Sequence, residues 1–133
     1  MNETDNTPAQ EMALRDLAKR MARRRNQVAV FDDVLAERRR QDEMFGPDRN
    51  MSPHAWLSIM AEEAGEAAQA TNKLVYHEYP EGDREGALDR LYTELIQSAA
   101  CAIAYAEAIR KERDAERKRL AALQDEQTSP PAP

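Results

Sequence analysis

The chain has 133 residues, a formal net charge of -6 and a single cysteine. That length suits one domain with a core of its own, and the acidic balance excludes a protein whose main task is to neutralise nucleic-acid phosphates. With one cysteine there is no internal disulfide, no run of about 18 uncharged apolar residues is long enough to span a bilayer, and the polar stretch from Met1 to Gln10 does not read as a secretion leader, so a soluble, cytoplasmic protein is expected.

Glycines number four, aromatics make up 5%, and Ala, Glu, Arg and Leu dominate, which predicts an all-α fold. Residues 1–8 and 124–133 are polar and proline-containing and are expected to be disordered, leaving one helical domain over about 9–123. The first helix is predicted from about Ala9 to Arg25, with a thin apolar stripe on Met12, Leu14, Leu17, Ala18 and Met21. It either ends there or runs unbroken into the next segment, about Val28 to Phe45, which carries Phe31, Val34, Leu35 and Phe45 on one side and stops at Gly46-Pro47. The basic run Arg20, Arg23, Arg24, Arg25 reads as a charged helix end rather than a nucleic-acid site, given the acidic total.

Ser52-Pro53 is a start signal, because the serine hydroxyl caps free amides and proline suits the first helical position, and a long helix is predicted from there to about Tyr76. Tyr79-Pro80-Glu81-Gly82 is a predicted turn, and Asp83 a predicted cap for a last helix running to about Leu123. From about Glu107 that helix is charged at nearly every position and reads as a solvated extension.

The chemistry is expected where acids break the apolar pattern. At about 100° of rotation per residue, Trp56, Met60, Ala67, Ala70 and Leu74 form one face of their helix, with Glu63 inside that arc, Glu66 on its border and Glu62 slightly further round. Like charges on a face that must meet another helix repel, so a cation is expected between them. Glu94 is the only charged residue in the sixteen from Leu91 to Ala106, a stretch that reads as buried on most of its circumference. An unpaired carboxylate there is costly, whereas one that meets Glu63 and Glu66 completes an oxygen cage for a hard cation, for which magnesium is suited and manganese a substitute. Zinc is disfavoured, since Cys101, His54 and His77 show no ligand spacing. The plainer alternatives are a solvated acidic face and a hydrogen-bonded core acid.

These residues resemble the signature of the MazG-like, all-alpha nucleoside triphosphate pyrophosphohydrolases, a helix with E-E-x-x-E followed by a helix with E-x-x-D. Here the pattern reads Glu62-Glu63-Ala64-Gly65-Glu66 and Glu94-Leu95-Ile96-Gln97, with further likeness in Glu37-Arg38-Arg39-Arg40-Gln41, Trp56 to Met60 and Leu95 to Tyr105. The resemblance covers roughly Val34 to Glu107 and implies a MazG-like helical bundle completed by dimerisation, as a homodimer or homotetramer. It implies that Glu63, Glu66 and Glu94 are metal ligands, that Glu62 is a further ligand or, with Glu63, the catalytic base that orients water, and that a (d)NTP is cut to (d)NMP and pyrophosphate. Gln97 stands where the pattern has Asp; its amide oxygen can still coordinate magnesium but brings no charge. Lys73, on the side of Glu62 and Glu66, is a candidate phosphate contact, with a solvated lysine the alternative, and Arg38 and Gln41 are candidates for reaching the base or phosphates, with an ordinary amphipathic continuation the alternative. Trp56 is read as a core anchor, and His54 and His77 as surface residues. Two other functions stay open: a catalytically weakened nucleotide-binding or sensor module, and a helical interaction protein using the charged segment after Glu107.

Overall fold

The computed structural model describes residues 7–128, which form three helices: α1 (Pro8–Phe45), α2 (Pro53–Val75) and α3 (Arg84–Thr128). No strand occurs among the described residues, and no helix there is long and apolar enough to cross a membrane.

Helix α1 is a single helix of 38 residues, the second of the two readings of this region. Asn26 and Gln27 carry neither the ring of proline nor the freedom of glycine, so nothing interrupts the backbone ladder. The basic run Arg20 to Arg25 is therefore an exposed mid-helix segment and not a helix end. Thr7 and Pro8, expected in a disordered tail, instead start α1 through a capping box in which the Thr7 hydroxyl accepts from Gln10 N and the Gln10 side chain accepts from Thr7 N at 2.8 Å. Gly46, at φ 84°, ends the helix in a conformation that favours glycine, and Pro47 prevents its continuation. Residues 1–6 lie outside the described residues.

Ser52 caps α2 as its sequence implies, its Oγ accepting from Ala55 N at 3.2 Å. The Asp83 carboxylate accepts from Gly86 N at 3.2 Å at the start of α3. Helix α3 extends beyond the expected end at Leu123, so Gln124 to Thr128 are helical rather than part of a disordered tail; Gln and Glu are good helix formers, and the first proline comes only at Pro130. Residues 129–133 lie outside the described residues.

Helix α3 is the centre of the molecule, and α1 and α2 pack on it rather than on one another. The Tyr92 hydroxyl donates to Asp33 at 2.7 Å and Arg38 donates to Glu107 at 2.6 Å, so α1 and α3 run the same way. Trp56 stacks on Tyr105 while Glu63 meets Glu94, so α2 runs the opposite way. The core is thin and built largely from small residues: Val34, Ile96 and Ala100 with Val30, Ala99 and Ile103 against them. Two faces of α3 are covered rather than its whole girth, which is why Tyr92 and Leu95 stay exposed in a stretch that reads as buried on most of its circumference. The apolar residues of α1 at Met12, Leu14, Leu17 and Met21 are exposed, as are Phe31, Leu35 and Phe45; only Val34 of the second apolar set is buried.

Candidate metal centre

The face of α2 that carries Trp56 and Ala67 is buried against α3, and Glu63 sits on it, half-buried, as its place between those residues dictates. Glu66, one turn on, is exposed at the edge of the same contact. From α3, Glu94 projects at the level set by the antiparallel register. Carboxylate oxygens of Glu63, Glu66 and Glu94 all lie within 4.8 Å of one another. A small hard cation with oxygen ligands at about 2.1 Å holds opposite ligands about 4.2 Å apart. The spacing of the three acids is thus close to that within one such coordination sphere.

Two observations make this more than an acidic surface. One oxygen of Glu63 and one of Glu94 are buried without any hydrogen-bond donor. Burial raises the Glu63 carboxyl above its ordinary range, and the charges of Glu66, Glu94, Glu62 and Glu37 push it further the same way. Four acidic neighbours thus act against the charge of Glu63, while Arg40, which is engaged with Glu37, lies near enough for Glu63 to favour its charge. An all-oxygen donor set with orphaned acceptors fits magnesium or manganese and gives zinc none of the sulfur or imidazole ligands it prefers.

A pocket of about 190 Å³ opens beside the acids, lined by Glu66 and Lys73 from α2, by Arg90 and Glu94 from α3, and by Tyr79. Lys73 is thus placed beside Glu66, in keeping with its position on the helix. Arg90 is a residue the sequence reading passed over; it lies one turn before Glu94 on the same face of α3, and that spacing was the available signal. Arg90 is anchored loosely, at 3.5 Å from Asp83.

Glu62 is exposed next to the cluster. Gln97 lies toward α1, lining a shallow opening with Glu37, Arg40 and Tyr92 rather than the Lys73 pocket. Glu37 also escaped the sequence reading as a site residue, although it lies three positions after the buried Val34 and so on the side of α1 that faces α3. Hydrogen bonds from Arg40 hold the Glu37 carboxyl below the usual range, and Gln41 donates to the same side chain at 3.3 Å.

Arg38 and Gln41 are both buried, and neither lines the pocket beside the acids. Arg38 bonds Asp42 at 2.8 Å and Glu107 at 2.6 Å; burial works against its charge, and these two carboxylates more than offset that. Trp56 is a core anchor, 3% exposed, its ring 5.7 Å from that of Tyr105 and nearly parallel to it. His54 and His77 are exposed, and Asp83 serves as a cap. Cys101 is a buried free thiol whose pKa is raised by burial and then by Glu63.

No family model matches this chain, and comparison with curated proteins and with solved structures gives no match either.

Proposed function

We propose that the chain is a magnesium-dependent nucleotide pyrophosphohydrolase of the MazG-like, all-α type, cleaving a nucleoside or deoxynucleoside triphosphate to the monophosphate and pyrophosphate. The observation that carries this reading is the convergence of Glu63, Glu66 and Glu94 from two helices with orphaned, buried carboxylate oxygens. Magnesium held there would neutralise phosphate oxygens and lower the pKa of a water, which is the chemistry phosphoanhydride hydrolysis needs. The protein's own residues supply the rest. Lys73 and Arg90 line the same pocket of about 190 Å³ as Glu66 and Glu94 and offer the positive charge that would orient a phosphate chain. Glu62, exposed and next to Glu63 in the chain, would accept a proton from the attacking water, with Glu63 as the alternative base. Gln97 adds an amide oxygen on the α1 side.

Self-association belongs to the same proposal. Leu14, Leu17, Met21, Val28, Phe31 and Leu35 follow a three-four spacing along α1, interrupted only at Arg24, and all six are exposed. Such a seam is what a second helix covers in a coiled coil, and a homodimer or homotetramer supplies one.

A second reading, a nucleotide sensor that binds without turnover, is favoured by Gln97, which withholds a fourth negative charge from the centre. A panel of NTPs, dNTPs and guanosine tetraphosphate with magnesium, scored separately for pyrophosphate and orthophosphate, tests the proposal. Pyrophosphate release from triphosphates is the expected result. Orthophosphate alone reassigns the chain to a phosphatase, and saturable nucleotide binding with neither product selects the sensor.

A further inference from the structure

Residues 8–29 of α1 are all exposed. Because α1 and α3 run the same way with Asp33 level with Tyr92, the first residue of α3, Arg84, comes level with about residue 25 of α1. The stretch of α1 before that level, about 25 Å long, therefore projects past the three-helix body as an arm. Along the arm and into the body, Leu14, Met21, Val28 and Leu35 alternate with Leu17, Arg24 and Phe31 at spacings of three and four, the repeat on which two helices mesh. The six apolar members are 47% to 66% exposed, so the seam has no partner within the described chain.

Charge gives the seam a direction. Arg24 stands in it, and Arg20 and Arg25 flank it on opposite edges. In a parallel pair of copies each seam residue meets its own counterpart. Arg24 then faces Arg24, and Arg20 of either copy flanks Arg25 of the other, which puts three arginine pairs within about 8 Å of helix length. An antiparallel pair with its two-fold axis between residues 22 and 23 sets Leu14 on Phe31 of the second copy, Leu17 on Val28 and Met21 on Arg24, and brings Ala18 beside Arg25 and Gln27 beside Arg20. All three arginine pairs are gone, and the Arg24 stem lies along a methionine. The one like-charged flanking pair, Glu11 beside Asp32, falls at the ends of the paired stretch, where both residues are exposed. Sliding the copies one heptad further together puts Arg25 on Arg25 and spends Leu14 on Arg38, which is already buried in the body.

We propose that two copies of the chain pair antiparallel through α1 about an axis between residues 22 and 23, so that the start of each arm covers Phe31 of the other copy and adds a fourth helix to its body. The inference rests on the self-association reading and adds to it a partner face, a direction and a register.

The test is disulfide trapping with copper phenanthroline in the whole chain, beside sedimentation of the wild type. Leu14→Cys and Phe31→Cys, at exposed positions and each checked for helicity by circular dichroism, should give no cross-linked dimer alone, because each thiol lies about 25 Å from its counterpart in the antiparallel pair. Mixed in equal amounts and allowed to exchange, they should trap about half of the dimers, the share that random mixing makes heterodimeric. Leu17→Cys with Val28→Cys should behave in the same way, and wild type, whose only thiol is the buried Cys101, is the blank. Cross-linking of a single variant overturns the antiparallel direction and leaves self-association standing. A dimer that traps in neither mixture overturns the register. A wild type that sediments as a folded monomer at tens of micromolar removes the self-association reading and this inference with it, and if that monomer binds phosphatidylserine vesicles the seam belongs to an anionic surface instead.

Discussion

Glu94→Gln separates a metal centre from a structural acid, because it keeps the size and the hydrogen-bonding capacity of the side chain and removes its charge. With the oxygens of Glu63, Glu66 and Glu94 within 4.8 Å, each charged pair repels by about 1 kcal/mol in a water-like medium and about 3 kcal/mol at an effective dielectric constant near 20. The substitution removes two of the three repulsive pairs. Glu66 is exposed, which places its pair with Glu94 near the lower figure, while half-buried Glu63 and Glu94 lie between the two limits. Part of the gain is offset by a buried amide that still lacks a partner. The metal-free variant should therefore exceed wild type by about 1–2 kcal/mol, or about 4–8 °C in Tm. Magnesium should distinguish the two proteins by the size of its effect. At a concentration 100 times its Kd it stabilises wild type by about 2.7 kcal/mol, and the variant should lose most of that response together with hydrolysis. Thermal melts in EDTA and across a magnesium series, run beside a product assay, give both quantities. An intact magnesium response and intact turnover in Glu94→Gln would make Glu94 a structural acid, and a wild type indifferent to magnesium even with nucleotide present would remove the centre altogether.

Glu37 gives a prediction in pH. Hydrogen bonds from Arg40 hold its carboxyl below the ordinary value of 4.5, so its contribution to stability is present above that value and fades as pH falls through the lowered folded-state pKa; Arg40→Met should flatten this acid limb in melts recorded on either side of it. At Gly86, a Cβ would collide with the Asp83 carboxylate that caps α3. Gly86→Ala should thus fail to gain the roughly 1 kcal/mol that alanine's helix propensity would otherwise bring, because displacing the cap costs about as much, and a rise in Tm of that full size would refute the cap. Replacing Leu17 and Phe31 by Gln should convert a dimer or larger species to monomer in sedimentation, and a wild type that sediments as a folded monomer at tens of micromolar would show that the α1 seam has no partner of its own kind.

Legibility in the sequence followed the strength of the local signal. Breakers and caps were legible because they act within a turn: Gly46-Pro47 ends α1, Ser52-Pro53 opens α2 and Asp83 opens α3, each through one or two backbone groups. The face of α2 was legible because a single partner covers it, so burial follows the helical period from Trp56 through Glu63 to Ala67. Helix α3 was harder. It packs on α1 and α2 along two separate faces, so its apolar residues spread around the axis and leave Leu95 exposed beside the buried Ile96. The length of α1 was ambiguous for a related reason: residues 8–29 are all exposed, and without a covering partner there is no burial pattern to show whether a helix continues.

The same reasoning explains which site residues escaped notice. Glu63, Glu66 and Glu94 stood out because each is an acid on or beside a face expected to be covered, a conflict visible within one helix. Arg90 and Glu37 raise no such conflict. A basic or acidic residue near a helix border is unremarkable until another element is laid against it. Local sequence therefore exposes residues that contradict their own element, whereas residues that complete a site from a neighbouring element become visible only through the packing of α1 and α2 on α3.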